Sequence, residues 1–202
     1  MKKTLLIVLP ALLWNVPLHG QIGSQKVIIP FLHQLVGVEP SDWDNDGDLD
    51  LVVAATEYHR IGWYENLDGV GNYGSFELLS AEAVDVRSIK LLDLDQDGDE
   101  DILALLAGGS RLAWLENLDD ENAPGSPVTI FNSLEDAHSL QAADFDHDDD
   151  IDLVVTEEGN GNILYFENLG GQPSFGTPIL LKSGLTGRNA LRSIMPSMAP
   201  KG

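Results

Sequence analysis

Residues 42–53 read DWDNDGDLDLVV, and the pattern returns as DLDQDGDEDILA at 93–104 and as DFDHDDDIDLVV at 144–155. Each copy begins 51 residues after the one before. A second motif keeps the same step: WYENL from Trp63, WLENL from Trp114 and YFENL from Tyr165. Two motifs locked to one period define a tandem repeat, in which a single unit cannot bury its own apolar face and stacks on its neighbours.

Within a unit, a strand leads into the acidic loop, as in VRSIKLLDLD, where Val86, Ile89 and Leu91 or Leu92 supply the apolar positions. A second strand leaves the loop: LDLVVAAT, EDILALLA and IDLVVTEE. Such unbroken apolar runs suit a strand covered on both faces. Turn residues follow (EYHRIG, GGSR, EGNGN), then a third strand carrying W-x-E-N-L, a variable Gly/Asn/Pro-rich loop, and a fourth strand, FELLS, PVTIF or TPILL. No stretch keeps a helical period. The expected fold is all-β, a β-propeller-type repeat of four-stranded antiparallel blades, with three blades near residues 31–80, 86–133 and 137–182.

The acidic loops have the chemistry of a cation site. Carboxylates stand at alternate positions: Asp42, Asp44, Asp46, Asp48 and Asp50; Asp93, Asp95, Asp97, Asp99 and Asp101; Asp144, Asp146, Asp148, Asp150 and Asp152. Calcium takes six to eight oxygens, and loops of the EF-hand kind supply them from positions 1, 3, 5, 7 and 9, position 7 through its carbonyl. Gly47 and Gly98 at position 6 suit a sharp turn, whereas the third loop has Asp149 there. Position 12 holds Val53, Ala104 and Val155, so no glutamate closes the site and helix–loop–helix EF-hands are excluded. Up to three Ca²⁺, one per repeat, are expected, with magnesium disfavoured because it keeps its waters. The third site is expected to be the weakest. The alternative reading is three solvated turns, since Asp and Gly favour turns in any case.

Composition bounds the partners. The net charge is −22, from 11 basic and 33 acidic residues, and three divalent cations would reduce it to about −16. Such a charge excludes nucleic acid and disfavours anionic membranes. The opening MKKTLLIVLPALLWNVPLHG has the basic, apolar and small-residue order of a secretory signal over residues 1–20, with an uncleaved anchor as the alternative. The apolar run is too short for a comfortable span, so no transmembrane segment is expected in the mature chain. A secreted, periplasmic or cell-surface location follows. With no cysteine, stability outside the cell must come from packing or metal. Residues 21–30 read as a lead-in.

The pattern D-x-D-x-D-G-D-x-D, an apolar strand and then W-Y-E-N resembles the FG-GAP/VCBS-type repeats, the blades of integrin α-subunit propellers and of many secreted bacterial proteins. The resemblance covers residues 31–182 and implies a β-propeller with calcium held between the first two strands of a blade. Such propellers close with about seven blades. Three are present here, and at 183–202 a fourth begins with LRSI at 191–194 but runs into MPSMAPKG where an acidic loop belongs. The expectation is an incomplete or truncated propeller, with self-association through exposed blade faces.

Trp63, Trp114 and Tyr165 recur once per unit and are expected between blades, with sugar stacking as the alternative. Phe76 and Phe175, each after a serine, read as packing anchors. The pairs Glu65/Asn66, Glu116/Asn117 and Glu167/Asn168 are expected to fix turns through side-chain bonds to the backbone. No catalytic constellation is found: His33, His59, His138 and His147 are isolated, and no G-x-S-x-G occurs. The function expected is a calcium-binding module for binding or adhesion to protein or carbohydrate surfaces. The alternatives are the propeller domain of a polysaccharide-active enzyme, or a truncated remnant without a function of its own.

Overall fold

The computed structural model describes residues 34–118, 123–170 and 174–185. The signal-like segment 1–20, the lead-in 21–30 and the LRSI segment lie outside them. Three four-stranded antiparallel sheets follow one another along the chain. The first is β1 (Leu35–Ser41), β2 (Asp50–Ala55), β3 (Arg60–Tyr64) and β4 (Glu77–Ser80), paired in that order. The second is β5 (Val86–Leu92), β6 (Asp101–Leu106), β7 (Arg111–Leu115) and β10 (Val128–Asn132). The third is β11 (Ala137–Ala143), β12 (Asp152–Glu157), β13 (Asn162–Phe166) and β14 (Ile179–Lys182). This is the expected all-β repeat of four-stranded blades.

The sheets stack face to face, and this explains the unbroken apolar runs. From β6, Ile102, Ala104 and Leu106 pack with Val52, Ala54, Ile61 and Trp63 of the first sheet. The alternate residues Leu103 and Leu105 join Leu112 and Trp114 against Leu153, Val155 and Phe166 of the third. A strand between two neighbours must be apolar on both faces, so the period of two disappears from its sequence. Trp63 and Trp114 therefore sit between blades, as expected.

The first strands of the three sheets lie side by side, β5 between β1 and β11. Ile89 approaches Gly37 so closely that a Cβ there would stand 2.8 Å from its Cγ1. Lys90 Nζ reaches Glu39 Oε1 at 2.7 Å, one full repeat back along the chain. The equivalent residues Val38, Ile89 and Leu140 are 48%, 2% and 1% exposed. Those at the second and third positions each meet a preceding sheet.

Backbone detail keeps the period too. Pairing slips by one residue between Leu35 and Gly37, between Val86 and Ser88, and between Ala137 and Ser139. A bulge repeated at one place bends and twists each sheet alike. Left-handed residues recur in step: Gln34, Asp85 and Asp136, then His59, Ser110 and Gly161.

Two short elements are not legible in the sequence: a 3₁₀ turn at Ala107–Gly109, and a ribbon of β8 (Asn117–Leu118) with β9 (Ala123–Pro124). The other units form single bridges at the ribbon's place, Asn66 to Tyr73 and Asn168 to Phe175.

If sheet-on-sheet packing carries the stability, one truncation should cost very different amounts at equivalent sites. Leu140→Ala should destabilise by about 2–5 kcal/mol, while Val38→Ala stays within about 0.5 kcal/mol. Urea unfolding of both variants checks this.

Candidate metal centres

Each acidic loop joins the first strand of a sheet to the second, and its last aspartate is the first residue of that second strand. Asp50, Asp101 and Asp152 are buried there. Asp50 accepts the N–H of Trp43 at 3.1 Å and that of Asn66 at 2.7 Å, one on each oxygen. Asp101 does the same with Leu94 at 3.2 Å and Asn117 at 2.8 Å, and Asp152 with Phe145 at 3.1 Å and Asn168 at 2.9 Å. The ninth position thus clamps the start of its loop to the end of the third strand. Tyr165 adds its hydroxyl to Asp152 at 2.9 Å.

The front of each loop wraps on its first aspartate. Gly47 N donates to Asp42 at 3.2 Å, Gly98 N to Asp93 at 3.1 Å and Asp149 N to Asp144 at 3.3 Å. The sixth residue is left-handed in all three, with φ of 99° at Gly47, 110° at Gly98 and 73° at Asp149. A Cβ on either glycine would meet nothing within 4 Å, so the constraint there is conformation and not space.

Carboxylate oxygens converge within 4.8 Å in three groups: Asp42, Asp44 and Asp46; Asp93, Asp95 and Asp97; Asp144, Asp146 and Asp152. Two candidates of the first repeat, Asp48 and Asp50, stand outside its group, as do Asp99 and Asp101 in the second and Asp148 and Asp150 in the third. Two of the seventh-position side chains turn elsewhere. Asp99 accepts a hydrogen bond from Asn45 of the preceding loop, and Asp150 accepts one from Gln96 at 2.9 Å. Nothing in the repeat pattern signals these two contacts.

Packing so much charge together has visible electrostatic consequences. Asp48 Oδ1, Asp93 Oδ1 and Asp95 Oδ1 are buried and lack a hydrogen-bond donor. Burial first, then the charges of Asp46, Asp44 and Asp42, push the Asp48 carboxyl up. Asp95 rises through burial and then through Asp97, and Asp146 through burial and then Asp152 and Asp148. Burial also raises Asp50 and Asp101 to about 6, against the opposing pull of their backbone donors. Trp114 Nε1 beside Asp101 pulls the same way without meeting hydrogen-bond geometry. Buried acceptors without donors, in a ring of like charges, are the donor set of a hard divalent cation.

The Asn of each Glu-Asn pair bonds the backbone as expected: Asn66 Nδ2 donates to Leu49 O at 3.2 Å and Asn66 Oδ1 accepts from Gly71 N at 3.0 Å. Asn168 repeats the first bond with Ile151 O at 3.3 Å, while Asn117 reaches Trp43 O of the first repeat at 3.4 Å. The Glu takes part through its main chain instead, with Glu65, Glu116 and Glu167 carbonyls accepting Gly74, Gly125 and Gly176 N–H. Phe76 packs edge-on against Tyr64 and lies over Gly62, and Phe175 packs against the second core cluster.

A carboxyl whose folded pKa lies above the ordinary range favours folding while protonated, and that contribution is lost as pH rises through about 6 for Asp50 and Asp101. The cation-free protein should therefore melt at higher temperature at pH 5 than at pH 7. Asp101→Asn should flatten this slope in thermal melts of the metal-stripped chain.

A family model described as an FG-GAP-like repeat matches residues 42–104 and 93–155, each match running from one acidic loop through the strand after the next. Among solved structures, a lectin of Agrocybe aegerita that recognises non-reducing terminal N-acetylglucosamine has a similar fold, with a TM-score of 0.52 and 16% identity over 74% of this chain and 39% of that one. BBS1N in complex with ARL6DN superposes with a TM-score of 0.49 and 16% identity, over 77% and 42%. The biofilm matrix protein Bap1 of V. cholerae gives a TM-score of 0.37 and 19% identity, over 71% and 28%. The chain thus spans less than half the length of each of these structures. No curated protein sequence matches it. Together the two family matches cover more than half of the chain, which belongs to the FG-GAP-like repeat family.

Proposed function

We propose that this chain is an exported, calcium-stabilised repeat module that binds protein or carbohydrate surfaces. The observation that carries the proposal is the set of buried, donorless oxygens on Asp48 in the first loop and on Asp93 and Asp95 in the second, with a third loop of the same design. Asp42, Asp44, Asp46 and Asp50 would hold the first ion, Asp93, Asp95, Asp97 and Asp101 the second, and Asp144, Asp146, Asp148 and Asp152 the third. Asp48, Asp99 and Asp150 would add main-chain carbonyls. A bound Ca²⁺ supplies positive charge where self-repulsion is greatest, which ties the first two strands of each sheet together.

The binding role is supported by the family, whose repeats typically serve as non-catalytic modules. Export is supported by the signal-like pattern of residues 1–20. Among the described residues no helix is long and apolar enough to cross a membrane. The fold alone selects no ligand.

Chelation tests the proposal. Each site saturated at about 100 times its Kd adds roughly 2.7 kcal/mol, so excess EDTA should lower the melting temperature markedly, and calcium should restore it. An unchanged melting temperature would sink the calcium reading.

The third loop should be occupied but weakest, because Asp149 holds a left-handed backbone that costs a non-glycine residue about 1 kcal/mol. Asp149→Gly should tighten one site by about fivefold in a calcium titration. No change would mean that the loop holds this conformation equally with and without the ion.

A further inference from the structure

The three loops are joined to one another, and the joints repeat. Asn45, fourth in the first loop, donates its Nδ2 to Oδ1 of Asp99, seventh in the second. Gln96, fourth in the second loop, donates its Nε2 to Oδ1 of Asp150, seventh in the third, at 2.9 Å, and also reaches Asp149 O at 3.4 Å. Donor and acceptor hold the same loop positions on both occasions, although the donor side chains differ in length.

We propose that Asn45 and Gln96 are positioning residues for the acidic loop of the next sheet, so that filling one loop with cation favours filling its successor. The proposal rests on the calcium reading above. On the giving side, each donor stands between two carboxylates of its own cation group, Asn45 between Asp44 and Asp46, and Gln96 between Asp95 and Asp97. Both donors are left-handed, with φ of 57° and 64°, as is His147 at the fourth position of the third loop with φ of 69°, so the conformation belongs to the loop itself. A cation that gathers the flanking carboxylates holds the donor in that shape.

On the receiving side, Asp99 N donates to Asp97 Oδ1 at 3.0 Å and Asp150 N to Asp148 Oδ1 at 3.1 Å. The residue that meets the preceding loop is thus bonded to the fifth-position carboxylate of its own loop, as Asp48 N is to Asp46 Oδ1 at 3.0 Å in the first loop, and the joint holds that pair against the neighbouring sheet. Chain bonds through the donor residue and hydrogen bonds beyond it together link one group of carboxylates to the next. Linkage makes the effect mutual: whatever the first ion gives the second, the second returns. Asp48 has no such donor on its buried Oδ1, so the first loop is filled without help from a preceding one among the described residues.

Glycine at the donor position tests this, because it keeps the left-handed backbone and removes only the amide. In a chain whose third loop is silenced by Asp144→Asn and Asp146→Asn, calorimetric titration with Ca²⁺ should show two sites binding with positive cooperativity. Adding Asn45→Gly should abolish the cooperativity, so that the several-fold gain each loop draws from the other's ion is lost from both alike. The mirror experiment silences the first loop with Asp42→Asn and Asp44→Asn and adds Gln96→Gly, which should likewise abolish the cooperativity between the second and third loops. Weakening confined to the altered loop, or constants unchanged by either glycine, overturns the coupling. Two sites that fill independently in the parent chain overturn the coupling alone, whereas no calcium binding at all overturns both this and the reading beneath it.

Discussion

Everything in the described structure depends on a buried aspartate at the first residue of each second strand. Asp50, Asp101 and Asp152 each hold two main-chain N–H groups, one from the start of the acidic loop and one from beyond the third strand. One carboxylate thus ties together the loop, the second strand and the third. Without it, buried N–H groups would be left without acceptors beside the core, each at about 1–3 kcal/mol. The same residue brings a negative charge to the floor of a loop that already has several. The architecture and its electrostatic burden share an origin, which is why a cation suits the loop so well.

Much of this was legible in the sequence. The period is visible because two unrelated motifs keep it, and the central strands declare themselves because sheets on both sides demand apolar residues at every position. The convergence of Asp42, Asp44 and Asp46 follows from alternate spacing on a loop that turns at Gly47. Spacing could not separate the ninth aspartate from the others. Its burial is decided by Asn66, Asn117 and Asn168, whose N–H groups return to it from across the sheet. Nor could it reveal the joints between loops, since the amides of Asn45 and Gln96 stand on side chains of different length and their acceptors lie more than a repeat away.

The phenylalanines show a different limit. Phe76 and Phe175 look alike because each follows a serine, yet they are not equivalent positions. Phe175 bridges Asn168 as Tyr73 bridges Asn66, while Phe76 lies over Gly62, where the second and third repeats carry Ala113 and Leu164. The ring supplies from the next strand the bulk that those repeats carry on the third strand itself.

The joint between loops also gives the array a direction. The first and second sheets each offer a donor from the fourth position on one face, and the second and third each offer an acceptor at the seventh on the opposite face. Turned around, a sheet would set carboxylate against carboxylate. Two like faces are therefore not self-complementary, and a twofold axis cannot run through such a contact. Units joined in this way can only follow one another with the same rotation at every step. The symmetry open to this repeat is that of a ring or a screw, written into a single amide on each of the first two loops.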